Sequence, residues 1–225
     1  SKRINYNLKG LYYQKCLGTI EPQRSDIFHK VYFVDNLYET ILGYTFIINV
    51  GCFFQVNTRL ARILYSIVQN FYKHKEGDVL LDMCCGIGMF GIILSKFFKD
   101  VIGMDNNPCN SELVYQNTKI NKVTNYSYIE GNVEDNIDSI LSNDRKYSIV
   151  VNPPRRGLYK GFTDMINIRN KFVKDIVYVS CNGDSLQRDL TFLGDNWEIE
   201  NIIPLDQFPN TNHYEVIVKM KNKSI

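Results

Sequence analysis

From Val79 to the C-terminus the sequence alternates short β-rich runs with segments of helical spacing, and this alternation constrains the fold more than any other feature. The strand-like runs are 79–85, 101–105, 126–129, 147–152, 175–181, 197–203 and 213–220. Helical spacing marks 89–98, 109–120 and 185–192 between them. Repeated strand–helix alternation predicts an α/β fold, with a parallel sheet covered by helices on both faces. The last two runs have no helical segment between them and are expected to pair antiparallel at one edge. The first fifty residues read differently. Segments 4–14, 27–34 and 44–50 look like strands or hairpins, and 58–72 looks like a long amphipathic helix. A domain boundary is therefore expected near residue 48, with a β-rich piece at 1–48 and the alternating unit at 49–225.

Length and composition narrow the function classes. A chain of 225 residues can bury a sizeable core, and 44% hydrophobic with 22% charged residues is the balance of a globular protein. No apolar run reaches the roughly 18 residues that span a bilayer, so no membrane partner is expected. The net charge of +2 permits a polyanionic partner without demanding one. Six cysteines, at 16, 52, 84, 85, 109 and 181, form no Cys-x-x-Cys pair and have no histidine a few positions away. No metal site is expected from them, and an intracellular, reducing compartment, cytoplasmic or organellar, fits better than secretion. The chain opens Ser-Lys-Arg-Ile-Asn, without an initiating Met or a signal pattern. A fragment is expected, whose natural N-terminus is missing and whose targeting is therefore not read from it, and it is expected to be a monomer.

The run LLDMCCGIGMFG, Leu80 to Gly91, is a buried strand that breaks into a glycine-rich turn and then a helix. Gly86 and Gly88 let the backbone approach a ligand with no Cβ in the way. Nineteen positions after Gly86, Asp105 ends the next strand, where a carboxylate can accept hydrogen bonds from both ribose hydroxyls. Gly-x-Gly-x-x-Gly does occur at 86, 88 and 91. Asp82 in the first strand and the strand pair at the C-terminal edge nevertheless look more like an S-adenosylmethionine site than a dinucleotide site. The plain alternative is a tight turn with structural glycines.

Two later strands run into unusual turns. VVNPPRRGL places the Asn152 carboxamide at a strand end, and two prolines make the adjoining turn rigid and extended. A carboxamide sets a donor beside an acceptor, so it matches the N3–H and O4 edge of uracil and, after a flip, cytosine. Arg155 and Arg156 come next and could hold RNA phosphates or form an ordinary solvated face. In YVSCN, Cys181 ends a strand just before a helical segment. The positive end of a helix favours a thiolate there, and ligands of open α/β sheets bind at strand C-termini. A lone cysteine is otherwise most often a small buried hydrophobe.

Taken together, FFQVN, LDMCCGIGMFG, NPPRRGL, YVSCN and LDQFPNTNHYE resemble, in content and order, the RNA uracil-C5 methyltransferases. The resemblance runs from about Val31 to Met220. Asn-Pro-Pro-Arg-Arg-Gly and His-Tyr-Glu are most similar to the bacterial branch acting on 23S ribosomal RNA, whereas the transfer-RNA branch usually has Asp at position 152. It implies a class I, Rossmann-like methyltransferase sheet with an antiparallel C-terminal edge strand, preceded by a remnant of a β-rich central, RNA-binding domain. It also implies Cys181 as nucleophile and Glu215 as general base. Gln55, Cys84, Asp105 and Asn152 would be cofactor positions beside Gly86 and Gly88, the first and last also able to touch the target base. Departures are Cys84 in place of an aromatic, Asn210 in place of a His, and Ser185 in place of a Thr. The iron–sulfur cysteines that the ribosomal branch carries near its N-terminus are not in this sequence.

The implied chemistry explains the residue types. C5 of uracil is a weak nucleophile, and thiolate attack at C6 makes it electron-rich. After C5 is methylated, a base must remove its hydrogen before the thiolate can leave. Cys181 and Glu215 are 34 positions apart, so the fold is expected to join them from adjacent sheet edges. His213 would share a face with Glu215 if the strand were regular, and could orient it or the RNA. Rivals are a transfer-RNA uridine enzyme, a cytosine-C5 or amino-group methyltransferase, and an RNA-binding module with dispensable catalysis. The only Pro-Cys, Pro108–Cys109, comes after the second strand, which disfavours the cytosine-C5 enzyme, and Arg155 rather than an aromatic comes after Asn-Pro-Pro, which disfavours the amino-group enzyme.

Overall fold

The computed structural model describes residues 10–14, 28–33, 36–74, 77–141 and 144–225. Strands β1 (Gly10–Gln14) and β2 (Phe28–Phe33) pair antiparallel, covering part of two expected strands; the remainder, at 4–9, 27 and 34, lies outside the described residues. Next in the chain is a hairpin, β3 (Leu37–Ile41) and β4 (Tyr44–Ile48). Its two-residue turn, Leu42–Gly43, has φ of 51° and 84°. Positive φ at both positions gives the turn a twist that matches the flanking strands. This hairpin lies on the N-terminal side of the expected boundary, and its Ile41, Phe46 and Ile47 pack in the same buried cluster as the adjoining helix.

That helix, α1 (Thr58–Tyr72), starts where the Asn57 side chain accepts a hydrogen bond from Leu60 N at 3.3 Å. Ala61, Leu64, Tyr65, Val68 and Tyr72 recur at helical spacing and are its buried face. The alternating unit then runs β5 (Gly77–Met83), α2 (Met89–Leu94), β6 (Phe98–Asp105), α3 (Cys109–Ile120), β7 (Tyr126–Glu130), α4 (Val133–Ile140) and β8 (Tyr147–Val151). It continues with α5 (Lys160–Ile168), β9 (Val173–Ser180), α6 (Gly183–Leu193), β10 (Trp197–Leu205) and β11 (Glu215–Asn222). Helices α4 and α5 are outside the segments whose spacing stands out in the sequence. At eight and nine residues, each is shorter than the stretch over which a helical period is counted.

One seven-stranded sheet has the order β10-β11-β9-β8-β5-β6-β7. Strands β5 to β9 are mutually parallel, and β11 is antiparallel to both β9 and β10. This is the α/β sheet, parallel with an antiparallel C-terminal edge, expected from the sequence. Alternation along β5 sends Val79, Leu81 and Met83 to a face covered by α4, α5 and α6, and Leu80 to a face covered by α1, α2 and α3. The same two-sided burial recurs in β8 and β9, which is why those strands read as continuous apolar runs. On β11 the pattern breaks at Lys219, whose ammonium lies 5.1 Å from the Phe71 ring and 5.5 Å from the Tyr72 ring, and 3.5 Å from Glu200. Strand order reverses between β5 and β8, and a ligand site is expected outside the carboxyl ends of strands at such a point. No described helix is long and apolar enough to cross a membrane.

Candidate active site

A cleft of about 520 Å³ opens at that reversal. Its wall is made by the segments that extend from β5, β6, β7, β8 and β9, closed by the loop that precedes β11. Nine of the residues singled out in the sequence line it: Cys84, Gly86, Asp105, Asn152, Arg155, Arg156, Cys181, His213 and Glu215. Gly88 does not. It caps α2 at φ 84°, and a Cβ there would meet Tyr126, Ile92 and Val114 at 3.3–3.5 Å, so it serves the packing of the turn. Gln55 lies behind the wall, buried, with its side chain on Glu215.

The glycine turn and Asp105 form one unit. Asp105 Oδ2 accepts from Gly86 N at 3.0 Å, and its Oδ1 accepts from Asn107 N at 2.8 Å. These bonds fix the carboxylate at the end of β6 while leaving lone pairs toward the cleft. Gly86 has φ 55°, and a Cβ there would meet nothing nearer than the Phe53 carbonyl oxygen at 3.9 Å, so the space above the turn is open. Cys84 also has positive φ, 57°, which is uncommon for a residue with a side chain and holds the turn in a strained form. Beneath it Asp82 is buried and accepts from Gly91 N at 2.7 Å; burial pushes its carboxyl up to about 7 against that hydrogen bond.

Cys181 and Glu215 meet through register. Val216 pairs with Ser180 across β11 and β9, so Glu215 and Cys181 are the next positions at the same end of that ladder. They come from strands adjacent within the sheet, not from two sheet edges. Cys181 is succeeded by α6, whose N-cap Asn182 accepts from Asp184 N and Ser185 N at 3.0 and 3.2 Å. Glu215 is 3% exposed. Burial raises its carboxyl to about 7, opposed by a hydrogen bond from Gln55, and its Oε2 has no partner among the described residues. Strand β11 begins at Glu215, so the regular strand that would set His213 on the same face is not formed. His213 lies in the preceding loop, exposed, with its ring centroid 6.4 Å from that of Phe208.

Several residues of the site carry no mark in the sequence. Gln207 is buried and donates to Gln55 Oε1 at 3.5 Å and to the Asn57 carbonyl at 3.4 Å, tying the 206–214 loop to the FFQVN segment. Asn110, in the first turn of α3, lines the cleft with its Oδ1 buried and unpartnered among the described residues. The 152–158 turn is held from below by α6. Ser185 Oγ donates to the Arg155 carbonyl at 2.9 Å, Arg188 Nη2 to the Arg156 carbonyl at 2.6 Å, and Leu158 N to Asp189 Oδ2 at 2.7 Å. Fully buried Asp189 also accepts from Tyr178 OH at 2.7 Å and from Arg188. Among the described residues no group of three metal-ligating side chains converges.

Comparison with known proteins completes the picture. Residues 23–223 match the family model described as tRNA (uracil-5-)-methyltransferase. An uncharacterized RNA methyltransferase of Clostridium acetobutylicum is 34% identical over 227 residues, covering 100% of this chain and 49% of that protein. The uncharacterized RNA methyltransferase YljE of Lactococcus lactis is 33% identical over 198 residues, covering 87% of this chain and 43% of that protein. The chain spans about half the length of the curated relatives it matches. Among solved structures, a Pyrococcus abyssi tRNA (uracil-54, C5)-methyltransferase in complex with S-adenosyl-L-homocysteine superposes with a TM-score of 0.73. It is 28% identical, with 96% of this chain and 51% of that chain covered. Methanocaldococcus jannaschii TYW2 with AdoMet, at 18% identity and a TM-score of 0.58 over 87% of this chain and 90% of that one, shares the fold alone. The motifs, the strand order and a family model matched from residue 23 to residue 223 agree: this chain belongs to the tRNA (uracil-5-)-methyltransferase family.

Proposed function

We propose that this chain carries the catalytic part of an RNA methyltransferase that moves a methyl group from S-adenosylmethionine to C5 of a uridine, through a covalent bond between Cys181 and C6. The observation that carries this reading is the register that sets Cys181 and Glu215 at one end of the β9–β11 ladder, in the cleft that also holds Asp105 and Gly86. A nucleoside cofactor suits the open space above Gly86 and the fixed carboxylate of Asp105. Asp105 would take the ribose hydroxyls, Gly86 and Cys84 would frame the turn, and Gln55 and Asn152 would stand at its reactive end. When bound, S-adenosylmethionine supplies an electrophilic methyl group.

The protein's own groups supply the rest. Cys181 as a thiolate forms the S–C6 bond, and the C5–C6 pair moves toward C4 and O4, leaving C5 nucleophilic. Asn152 would read the N3–H and O4 edge, with Arg155, Arg156 and His213 meeting the RNA. Once C5 is methylated, Glu215 takes its remaining proton, the C5–C6 double bond re-forms and the S–C6 bond breaks. A carboxyl raised to about 7 is well matched to accepting a proton near neutrality. Asn-Pro-Pro-Arg-Arg-Gly and His-Tyr-Glu favour ribosomal RNA as the target. Transfer RNA is the second reading, favoured by the name of the family and of the Pyrococcus abyssi structure.

The test is Glu215→Gln, incubated with S-adenosylmethionine and total RNA and resolved on a denaturing gel. Loss of the base is expected to leave protein bound to RNA through Cys181, and the adduct is expected to vanish when Cys181→Ala is added. Turnover retained in Cys181→Ala would remove the covalent mechanism.

A further inference from the structure

The segment that carries Asn152 ends in two side chains to which the methyl-transfer chemistry gives no stacking role. The Arg156 guanidinium carbon lies 4.4 Å from the centroid of the Tyr159 ring. Both residues line the cleft and both are exposed, Tyr159 by 45%. A surface cation–ring pair is worth about 0.5–1 kcal/mol, which barely offsets the freedom two long side chains lose. Here the backbone beneath the pair is already fixed. Arg188 holds the Arg156 carbonyl at 2.6 Å, and Asp189 holds Leu158 N at 2.7 Å. Gly157 between them has φ 77°, and any Cβ there would come within 2.4 Å of Asp189 Oδ2. The pair is thus preassembled on a rigid support.

Other rings line the same cleft. Phe53 is 62% exposed, and His213 is exposed beside Phe208. Rings interleaved with cations around a groove are the surface on which single-stranded nucleic acid binds, bases stacking on flat groups while phosphates meet charge. A duplex keeps its bases stacked on one another and would have none to offer this surface.

We infer that Arg156 and Tyr159 form a stacking platform for the nucleobase next to the target uridine, and that the RNA presented to this cleft is single-stranded there. The inference rests on the proposed RNA methylation and adds to it a specific neighbour of the target base.

The experiment uses fluorescence anisotropy with a labelled RNA of mixed sequence, roughly 12 nucleotides long, within the span such surfaces cover. A matched oligomer of the same length lacks its bases. The wild-type chain is expected to bind the base-bearing RNA more tightly than the abasic one. Tyr159→Ala is expected to cut that preference roughly tenfold, the size expected for one stacked base, while leaving abasic binding unchanged, and Tyr159→Phe to retain it. Equal loss on both oligomers would make Tyr159 a scaffold residue, and no loss on either would make it idle; each overturns the platform. Unchanged thermal melting of Tyr159→Ala excludes misfolding as the cause. The covalent trap with Glu215→Gln judges the parent reading separately. An adduct without base preference sinks only the platform, and absence of any adduct sinks the methylation reading whatever Tyr159 does.

Discussion

Glu215 illustrates at the scale of one residue how burial and function are tied. A carboxylate 3% exposed has lost its water, and the hydrogen bond from Gln55 compensates only in part, so the neutral form is favoured up to about pH 7. In the unfolded chain the same group ionises near 4.5. Between those values the folded chain holds a proton that the unfolded chain has released. The associated stability is therefore complete below about 4.5 and lost as pH rises through about 7. Replacing Glu215 by Gln removes that dependence. Relative to the wild type, the variant should gain stability across this window and level off above it, by on the order of 2–3 kcal/mol. Buried Asp82 titrates in the same range and is common to both proteins, so it cancels in the comparison. Denaturant melts at several pH values read the difference, and a flat one would show that Glu215 is not held neutral. The proposed role of Glu215 as base predicts that wild-type turnover rises with pH along a limb near about 7, since only the anion could take the C5 proton.

At the scale of elements, the two turns that stand out in the sequence, NPPRRGL and SCN, are two sides of one construction. Helix α6 begins just beyond Cys181 and sends Ser185, Arg188 and Asp189 under the 152–158 turn. Position 185 needs only a hydroxyl for its bond to the Arg155 carbonyl, which is why Ser stands there without harm. Asp189→Ala would strand Leu158 N and the buried Tyr178 hydroxyl together, each losing its acceptor. The expected cost is about 3 kcal/mol by denaturant melting, with turnover falling further than cofactor affinity because Asn152 and Cys181 would shift relative to each other. A loss confined to cofactor affinity would count against this coupling. In the sequence the strands were legible because their two-sided burial writes uninterrupted apolar runs, and the turns were legible because Pro, Gly and Asn have few other reasons to cluster. The brace was not. Ser185, Arg188 and Asp189 read as the polar face of an ordinary helix, and only the tertiary packing reveals that Asp189 is fully buried. Strand β3 escaped for a related reason, since Leu37–Ile41 exposes Leu37 and Tyr38 and buries Ile41 alone. The contacts of Gln55 with Glu215 and with Gln207 join positions more than a hundred residues apart, which no local pattern encodes.

At the scale of the whole molecule, the cleft is the one described place where segments extending from five parallel strands meet the loop before β11. Buried clusters on the two faces share the strands between them, so the chain from α1 onward is expected to unfold as a unit rather than by halves. A ligand that binds only the assembled cleft must then stabilise all of it. With S-adenosylhomocysteine at about a hundred times its dissociation constant, the gain is about 2.7 kcal/mol. For a chain of this size that raises the melting temperature by roughly 5–11 °C. Asp105→Ala removes the proposed acceptor for the ribose and also the partner of Gly86 N, so the ligand-free variant should itself melt lower. The informative quantity is therefore the shift on adding ligand, not the absolute temperature. We expect the variant to show almost none at the concentration that shifts the wild type. A full shift in Asp105→Ala would free Asp105 from the ribose role, and no shift in the wild type would mean that the cleft does not take this cofactor. A partial shift seen only by probes of β5 to β7 would instead show that the two ends of the sheet unfold separately.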